Sequence, residues 1–279
     1  MERMRTVRHE GLTRNCFSDA FSFSETRTNL MQPTERNRYA QLCTELYEIL
    51  HPSAPPDELD FYLSYAKPHM RILEPMCGSG RFLIPFLERG FDICGMDSSP
   101  EMLAELSAKE PRARTVCADL LDFHPTERFD LIFVTSGSIS LFTEMDQCRR
   151  VLASLRNLLA NNGVLVFAVD AIANRCPDDA DWRMDVSAET RDGFTLTLKT
   201  KNRFDEATST QFMPGNYELH DGDRLLRTEM MDFQTHLYRY GEMEEILDGL
   251  GFSSISAYSS FAKTPAASDA DEMFLFECR

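Results

Sequence analysis

Basic residues are the first shortage of this 279-residue chain: 29 Lys and Arg stand against 45 Asp and Glu, a formal charge of −16. That balance argues against a protein that grips phosphate backbones over a broad basic face, because such binding is driven by clustered Lys and Arg. Paired cysteines are missing as well. The eight cysteines, at 16, 43, 77, 94, 117, 148, 176 and 278, lie singly, with no CxxC and no His at zinc-ligand spacing, so neither a disulfide framework nor a metal site is expected. Several sit in apolar runs such as Ile93-Cys94-Gly95, where a thiol packs as a small hydrophobe, and a reducing, cytoplasmic setting fits. No apolar run approaches the roughly 18 residues of a membrane helix, and the N-terminus shows no signal-like apolar stretch. Internal repeats and low-complexity tracts are absent too.

What remains is a globular composition. A hydrophobic fraction of 43% with 20 Phe supports a sizeable core, and the length bounds the chain to one large domain or two modest ones. Residues 1–32 read as a flexible arm and 33–69 as a helical cover. In that cover Tyr39, Leu42, Cys43, Leu46, Tyr47 and Leu50 recur at helical spacing until His51-Pro52 and Pro55-Pro56 intervene, and a second helix spans Pro56–Tyr65.

From 71 onward short apolar runs alternate with helical patterns. Strands are predicted at Arg71–Pro75, Phe91–Met96, Arg114–Ala118, Asp130–Thr135 and Val164–Val169, and helices at Arg81–Arg89, Pro100–Ala108 and Asp146–Ala160. Asn161-Asn162-Gly163 supplies a stop before the fifth strand. Such alternation means right-handed βαβ units and a parallel sheet. After Asp170 it breaks. Residues 180–238 read as an antiparallel insert of three strands, with turn signals at Pro214-Gly215 and Asp221-Gly222, the kind of insertion that forms a lid or substrate wall. A helix over Gly241–Leu250 and strands at Phe252–Tyr258 and Met273–Cys278 close the chain. The core is thus drawn from 70–179 and 239–279.

The informative stretch is Glu74-Pro75-Met76-Cys77-Gly78-Ser79-Gly80-Arg81-Phe82-Leu83: a strand ending in a carboxylate, a tight turn, and two glycines that let backbone approach a ligand. A dinucleotide fingerprint would place a third glycine where Leu83 stands, and Glu74 suits an ammonium better than a pyrophosphate. Asp97 ends the second strand, 17 residues after Gly80, where a carboxylate can hold a ribose diol. Asp119 ends the third, where it can accept a bond from an adenine amine. Thr135-Ser136-Gly137-Ser138, ending the fourth, borders the same crevice. Carboxylates at three successive strand ends match a ligand with an α-amine, a ribose diol and an exocyclic amine.

Here the chain resembles the class I S-adenosylmethionine (SAM)-dependent methyltransferases, over about 70–170 and again from 240. Glu74–Gly80 is similar to that family's first motif, with Met76 where Gly is usual; Gly95–Leu103 is similar to the second and Cys117–Leu120 to the third. The resemblance implies a Rossmann-like, seven-stranded, mostly parallel sheet with helices on both faces, its last strand antiparallel, and SAM as cofactor with S-adenosylhomocysteine as product. It implies that Glu74 meets the cofactor's amino group, Asp97 its ribose, Asp119 with Leu120 its adenine, and that Met102 packs on the adenine ring. Cys77, Gly78, Gly80, Ser98 and Thr135 complete the expected cofactor set.

The acceptor side is less legible. Methyl transfer from a sulfonium depends mainly on positioning and exclusion of water, so no nucleophile or metal is obligatory. Tyr47, Ser138 and Tyr238 are expected near the acceptor. His236 reads either as a satisfied structural histidine or as a general base. The resulting expectation is methyl transfer to N, O or S of a small-molecule acceptor, with no nucleic-acid or membrane partner and an undefined oligomeric state. The amino-purine methyltransferase signature Asn/Asp-Pro-Pro-Tyr is absent at 135–138. Alternatives are a SAM-binding protein without turnover, a protein methyltransferase, or a nicotinamide-dependent oxidoreductase.

Overall fold

The computed structural model describes residues 37–279; the arm expected over 1–32 lies outside the described residues. Two helices open the described chain, α1 (Gln41–Leu50) and α2 (Pro56–Leu63). The central part then alternates: β1 (Arg71–Pro75), α3 (Leu83–Glu88), β2 (Asp92–Asp97), α4 (Pro100–Lys109), β3 (Arg114–Cys117), β4 (Phe129–Val134), α5 (Met145–Leu158) and β5 (Leu159–Asp170). Seven short strands follow: β6 (Arg183–Glu189), β7 (Thr195–Thr200), β8 (Arg203–Asp205), β9 (Thr210–Phe212), β10 (Gly215–Asp221), β11 (Arg224–Met231) and β12 (Gln234–His236). Helix α6 (Glu242–Asp248) and strands β13 (Ile255–Tyr258) and β14 (Met273–Cys278) complete it.

The main sheet has seven strands in the order β13-β14-β5-β4-β1-β2-β3. Pairs among β1 to β5 are parallel, whereas β14 runs antiparallel to both β5 and β13. This is the Rossmann-like sheet that the resemblance implies. Its strands are apolar because both faces are covered: Leu131, Ile132, Phe133 and Val134 are fully buried, as are Leu165, Val166 and Phe167. Phe133 stacks on Tyr62 of α2 and on Phe86 of α3, with ring centroids 5.3 and 4.7 Å apart. Both helices are thereby fixed against the sheet's centre.

Two departures from expectation have plain causes. Asn161-Asn162-Gly163 does not stop a helix before β5 but lies within the strand, where Asn162 takes φ +65° and the pairing with β4 shifts register. Gly163 is required there, since a Cβ would stand 2.8 Å from the Phe129 carbonyl. The insert holds seven strands rather than three, in a four-stranded sheet β11-β10-β7-β6 and a three-stranded one β12-β9-β8. Strands β8, β9 and β12 have only three residues each, too few for alternation to show, and β6 is largely exposed and so carries little apolar signal.

Helix α1 lies on the four-stranded sheet. Its Leu42, Cys43 and Leu46 pack with Leu196 of β7, Tyr217 of β10 and Met231 of β11, and each Leu so buried contributes roughly 1.5–3 kcal/mol. Its N-terminus has no capping side chain of its own. The Glu229 carboxylate of β11 supplies one, accepting from the Leu42 and Cys43 amides at 3.0 and 3.1 Å, where a negative charge also favours the helix dipole.

Candidate active site

A cavity of about 610 Å³ opens at the C-terminal ends of the parallel strands, where open α/β sheets bind ligands. Its floor begins at the turn after β1. Met76, Gly78 and Gly80 all have positive φ, at +57°, +52° and +84°. Met76 therefore takes the left-handed conformation that glycine supplies more easily, and the turn keeps its shape at a local cost. The Cys77 amide donates to the Met96 carbonyl at 3.0 Å, tying the turn to β2. A Cβ on Gly80 would collide with Leu106 of α4, whereas Gly78 faces open space with only the Met102 sulfur nearby, at 3.9 Å. Gly80 thus serves packing, and Gly78 leaves room for a ligand.

Asp97 ends β2 on the cavity wall. Its Oδ2 accepts from the Gly78 amide at 2.8 Å and its Oδ1 from the Ser99 amide at 2.9 Å. Each oxygen keeps lone-pair capacity for a hydroxyl. Burial pushes the carboxyl up, and the Ser99 and Gly78 amides pull against that rise. Ser98, Met102, Ala118, Asp119 and Leu120 continue the wall toward β3. Asp119 spends one oxygen on the Leu121 amide at 2.8 Å.

Glu74 lies deeper than expected. It is 1% exposed and does not reach the cavity wall. Desolvation raises its carboxyl well above the ordinary range, partly offset by Arg81, and its Oε2 is buried without a partner. An orphaned carboxylate oxygen behind the glycine turn fits a site completed by a cationic ligand.

Arg81, directly after the turn, does line the cavity. It donates to the Ser136 hydroxyl, its guanidinium lies 5.7 Å from the Tyr47 ring centroid, and its buried Nε has no partner. Beyond β4 the loop Ser136-Gly137 is left-handed at both residues, with φ +57° and +68°. The Glu58 carboxylate braces it by accepting from the Ser136 amide at 3.0 Å. At the end of β5, Asp170 lines the same cavity. A Cβ on Gly137 would stand 2.5 Å from its Oδ1. Burial pushes its carboxyl up to about 7.

The roof comes from the cover and the insert. Asn37 donates to the carbonyls of Leu141 and Gln234, at 3.1 and 3.0 Å, and accepts from the Gln234 amide at 2.8 Å. The Tyr39 carbonyl accepts from the Ser99 hydroxyl at 2.7 Å. A side chamber of about 260 Å³ runs between α1 and the four-stranded sheet, sharing Tyr39, Tyr47, His51 and Phe233 with the main cavity.

Of the residues expected at the site, Gly78, Asp97, Ser98, Met102, Asp119, Leu120, Tyr47 and Ser138 line the cavity. Besides Glu74 and Gly80, four others do not, and each has a reason. The Cys77 side chain is buried against Gly95 and packs in the core. Thr135 is buried beneath the loop, where its carbonyl accepts from Ser138. Tyr238 is fully buried, with its hydroxyl 3.4 Å from the Cys148 sulfur, so it does not meet an acceptor. His236 is buried off the cavity wall, its Nε2 2.7 Å from Glu242 Oε1 and its ring against Tyr238. Its Nδ1 is buried without a hydrogen-bond partner.

Asn37, Tyr39, Arg81 and Asp170 are cavity residues that sequence reasoning missed. Asp170 carried the same signal as Asp97, a carboxylate ending an apolar strand; Arg81 stood immediately after the last motif glycine. Among the described residues no group of three or more His, Cys, Asp or Glu is placed to hold a metal, and no helix is long and apolar enough to cross a membrane.

Comparison with known proteins agrees with this geometry. Residues 72–163 match a family model described as a methyltransferase domain. A glycine/sarcosine N-methyltransferase of Aphanothece halophytica is 26% identical over 77% of this chain and 78% of its own. Among solved structures, an S-adenosylmethionine-dependent methyltransferase from Clostridium acetobutylicum superposes with a TM-score of 0.68, at 16% identity over 84% of this chain and 96% of that one. The sugar N-methyltransferase KedS8 from Streptoalloteichus gives 0.67, at 18% identity over 92% and 98%. The methyltransferase-domain match spans the glycine turn and its acidic companions, about a third of the chain, and with a sheet of this strand order it supports a class I SAM-dependent methyltransferase.

Proposed function

We propose that the protein transfers the methyl group of SAM to an N, O or S atom of a small molecule seated at the β4–β5 end of the cavity. The single observation that carries this reading is the division of one continuous cavity. Its β2–β3 end offers Asp97 to a ribose and Asp119 with Met102 and Leu120 to an adenine. Its β4–β5 end, with Ser138, Phe142, Gln147 and Thr235, is left for a second molecule. When bound, SAM supplies an electrophilic methyl on a sulfonium whose sulfur leaves as a neutral thioether.

The chain's own residues then have distinct tasks. Asp97 orients the ribose through its remaining lone pairs, and Arg81 takes the cofactor's carboxylate on the guanidinium face that lacks a partner. Glu74, behind the turn, offsets the cofactor's ammonium. Asn37 and Tyr39 hold the roof and keep water from the reacting atoms. The side chamber offers Leu46, Leu198, Met213 and Met231 to an apolar part of the acceptor. A chamber that shares Tyr39, Tyr47, His51 and Phe233 with the cofactor cavity also favours turnover over a SAM-binding protein that never meets an acceptor. The glycine/sarcosine N-methyltransferase relative supports a small acceptor.

The test is to incubate the enzyme and methyl-labelled SAM with the dialysable and the retained fractions of a cell extract. Label appearing in dialysable products is expected. Label found only in retained protein or nucleic acid would overturn the small-acceptor reading.

A further inference from the structure

The cavity holds one carboxylate that no donor of the cofactor accounts for. Asp97 and Asp119 face the β2–β3 end, and Glu74 lies behind the glycine turn. Asp170 stands at the opposite end, on the last parallel strand, with β4 and β1 between it and β2. Among the described residues no hydrogen-bond donor and no cation meets its carboxylate. Its own amide takes the Ser140 hydroxyl as acceptor at 2.8 Å, and its carbonyl accepts from the Tyr238 amide at 2.8 Å. The backbone is thus fixed while the side chain stays uncommitted.

From the reading above, which this inference deepens, we propose that the acceptor is an amine and that Asp170 is its catalytic base. The carboxylate binds the incoming ammonium and takes one of its protons onto Oδ. The freed nitrogen lone pair forms the new N–C bond while the C–S bond breaks, its electron pair staying on sulfur. The proton then passes from Asp170 to solvent.

Three physical points select nitrogen. A half-buried carboxylate without a counterion recovers its desolvation cost best from a cation. A thiolate or carboxylate acceptor would meet like-charge repulsion there. An alcohol brings no charge and is too weak an acid for this base. The burial that lifts Asp170 to about 7 also narrows its gap to an ammonium, so proton transfer is far less uphill than to an ordinary carboxylate. The groups around it leave that behaviour undisturbed. The 136–141 loop presents Ser138 and Ser140, α5 presents Gln147, β14 pairs through Met273, and the Ala171–Tyr238 bridge brings the Tyr238 phenol, which burial keeps neutral. Arg81 is turned to Ser136 and Tyr47.

The experiment uses the full chain saturated with S-adenosylhomocysteine, whose binding is measured first, so that failure of the cofactor reading is seen separately. Primary amines and their matched alcohols (benzylamine with benzyl alcohol, cyclohexylamine with cyclohexanol, ethanolamine with ethylene glycol) are then titrated by calorimetry into wild type and Asp170→Asn. The expected result is that amines bind more tightly than their alcohols, and that Asp170→Asn weakens only the amines, by about tenfold or more, as for loss of a charge-assisted bond. For any amine that is methylated, the acid limb of the pH–rate profile should disappear in Asp170→Asn. A panel in which no amine exceeds its alcohol, or in which the variant loses nothing, overturns the assignment. So does a variant that weakens SAM relative to S-adenosylhomocysteine while leaving the amines unaffected, since the carboxylate would then serve the sulfonium.

Discussion

Met76 shows how much a single residue can depart from a motif while the motif's geometry survives. A non-glycine side chain at φ +57° costs about 1–2 kcal/mol, part of which glycine would return through its own unfolded-state entropy. Met76→Gly should therefore raise the midpoint of thermal unfolding by a few degrees, read by calorimetry. Gly80→Ala should do the reverse and more severely, because strain at φ +84° adds to a collision with Leu106; little folded protein is expected. The three strand-end carboxylates were visible in sequence because each closed an apolar run beside the glycine turn. Asp170 closes one too, but it lies far along the chain from that turn, and nothing local announced that β5 would deliver it to the same crevice. Tyr238 was expected near the acceptor for the opposite reason. Its polarity drew attention, whereas the structure buries its hydroxyl against an internal partner, Cys148.

At the level of elements, the cover works because another element finishes it. Helix α1 starts without a cap of its own, and Glu229 of β11 closes its N-terminus across the sheet. Glu229→Ala should cost about 1 kcal/mol and lower the unfolding midpoint by roughly 2–4 °C in a chain of this size. If α1 also walls the acceptor, the same variant should raise KM for the acceptor more than for SAM in steady-state assays. Equal effects on both would assign α1 to stability alone. The parallel strands were readable because both-face burial makes them near-continuous apolar runs. The insert was not, because strands of three residues and an exposed β6 carry no periodicity long enough to detect.

Across the whole molecule, acidity and function pull in different directions. The chain carries a charge of −16 and still holds a buried carboxylate at Glu74 and half-buried ones at Asp97 and Asp170, each with its pKa raised by burial. The sign of the linkage follows. A carboxyl whose folded pKa lies above its unfolded value keeps its proton longer in the native state, so stability falls as pH rises between the two values. For Asp170 that window runs from about 3.8 to about 7. Its charge should cost the cofactor-free protein up to about 4 kcal/mol above the window, less whatever water in the cavity screens. Asp170→Asn should accordingly stabilise the cofactor-free enzyme at pH 8 while changing little near pH 4, measured by denaturant unfolding. A variant equally stable with wild type at pH 8 would mean that the carboxylate is already well solvated or paired. A group retained at such a cost is the kind that activity, rather than folding, maintains.

The central claim is that one cavity is divided between a cofactor end at β2–β3 and an acceptor end at β5. Calorimetric titration of S-adenosylhomocysteine into wild type, Asp97→Ala and Asp170→Asn tests it most directly. The account predicts that Asp97→Ala weakens binding by roughly 1.5–3 kcal/mol for each charge-assisted hydrogen bond lost, while Asp170→Asn binds the product as wild type does. Unchanged affinity in Asp97→Ala, or an equal loss in Asp170→Asn, would contradict the division of the cavity on which the proposed function rests.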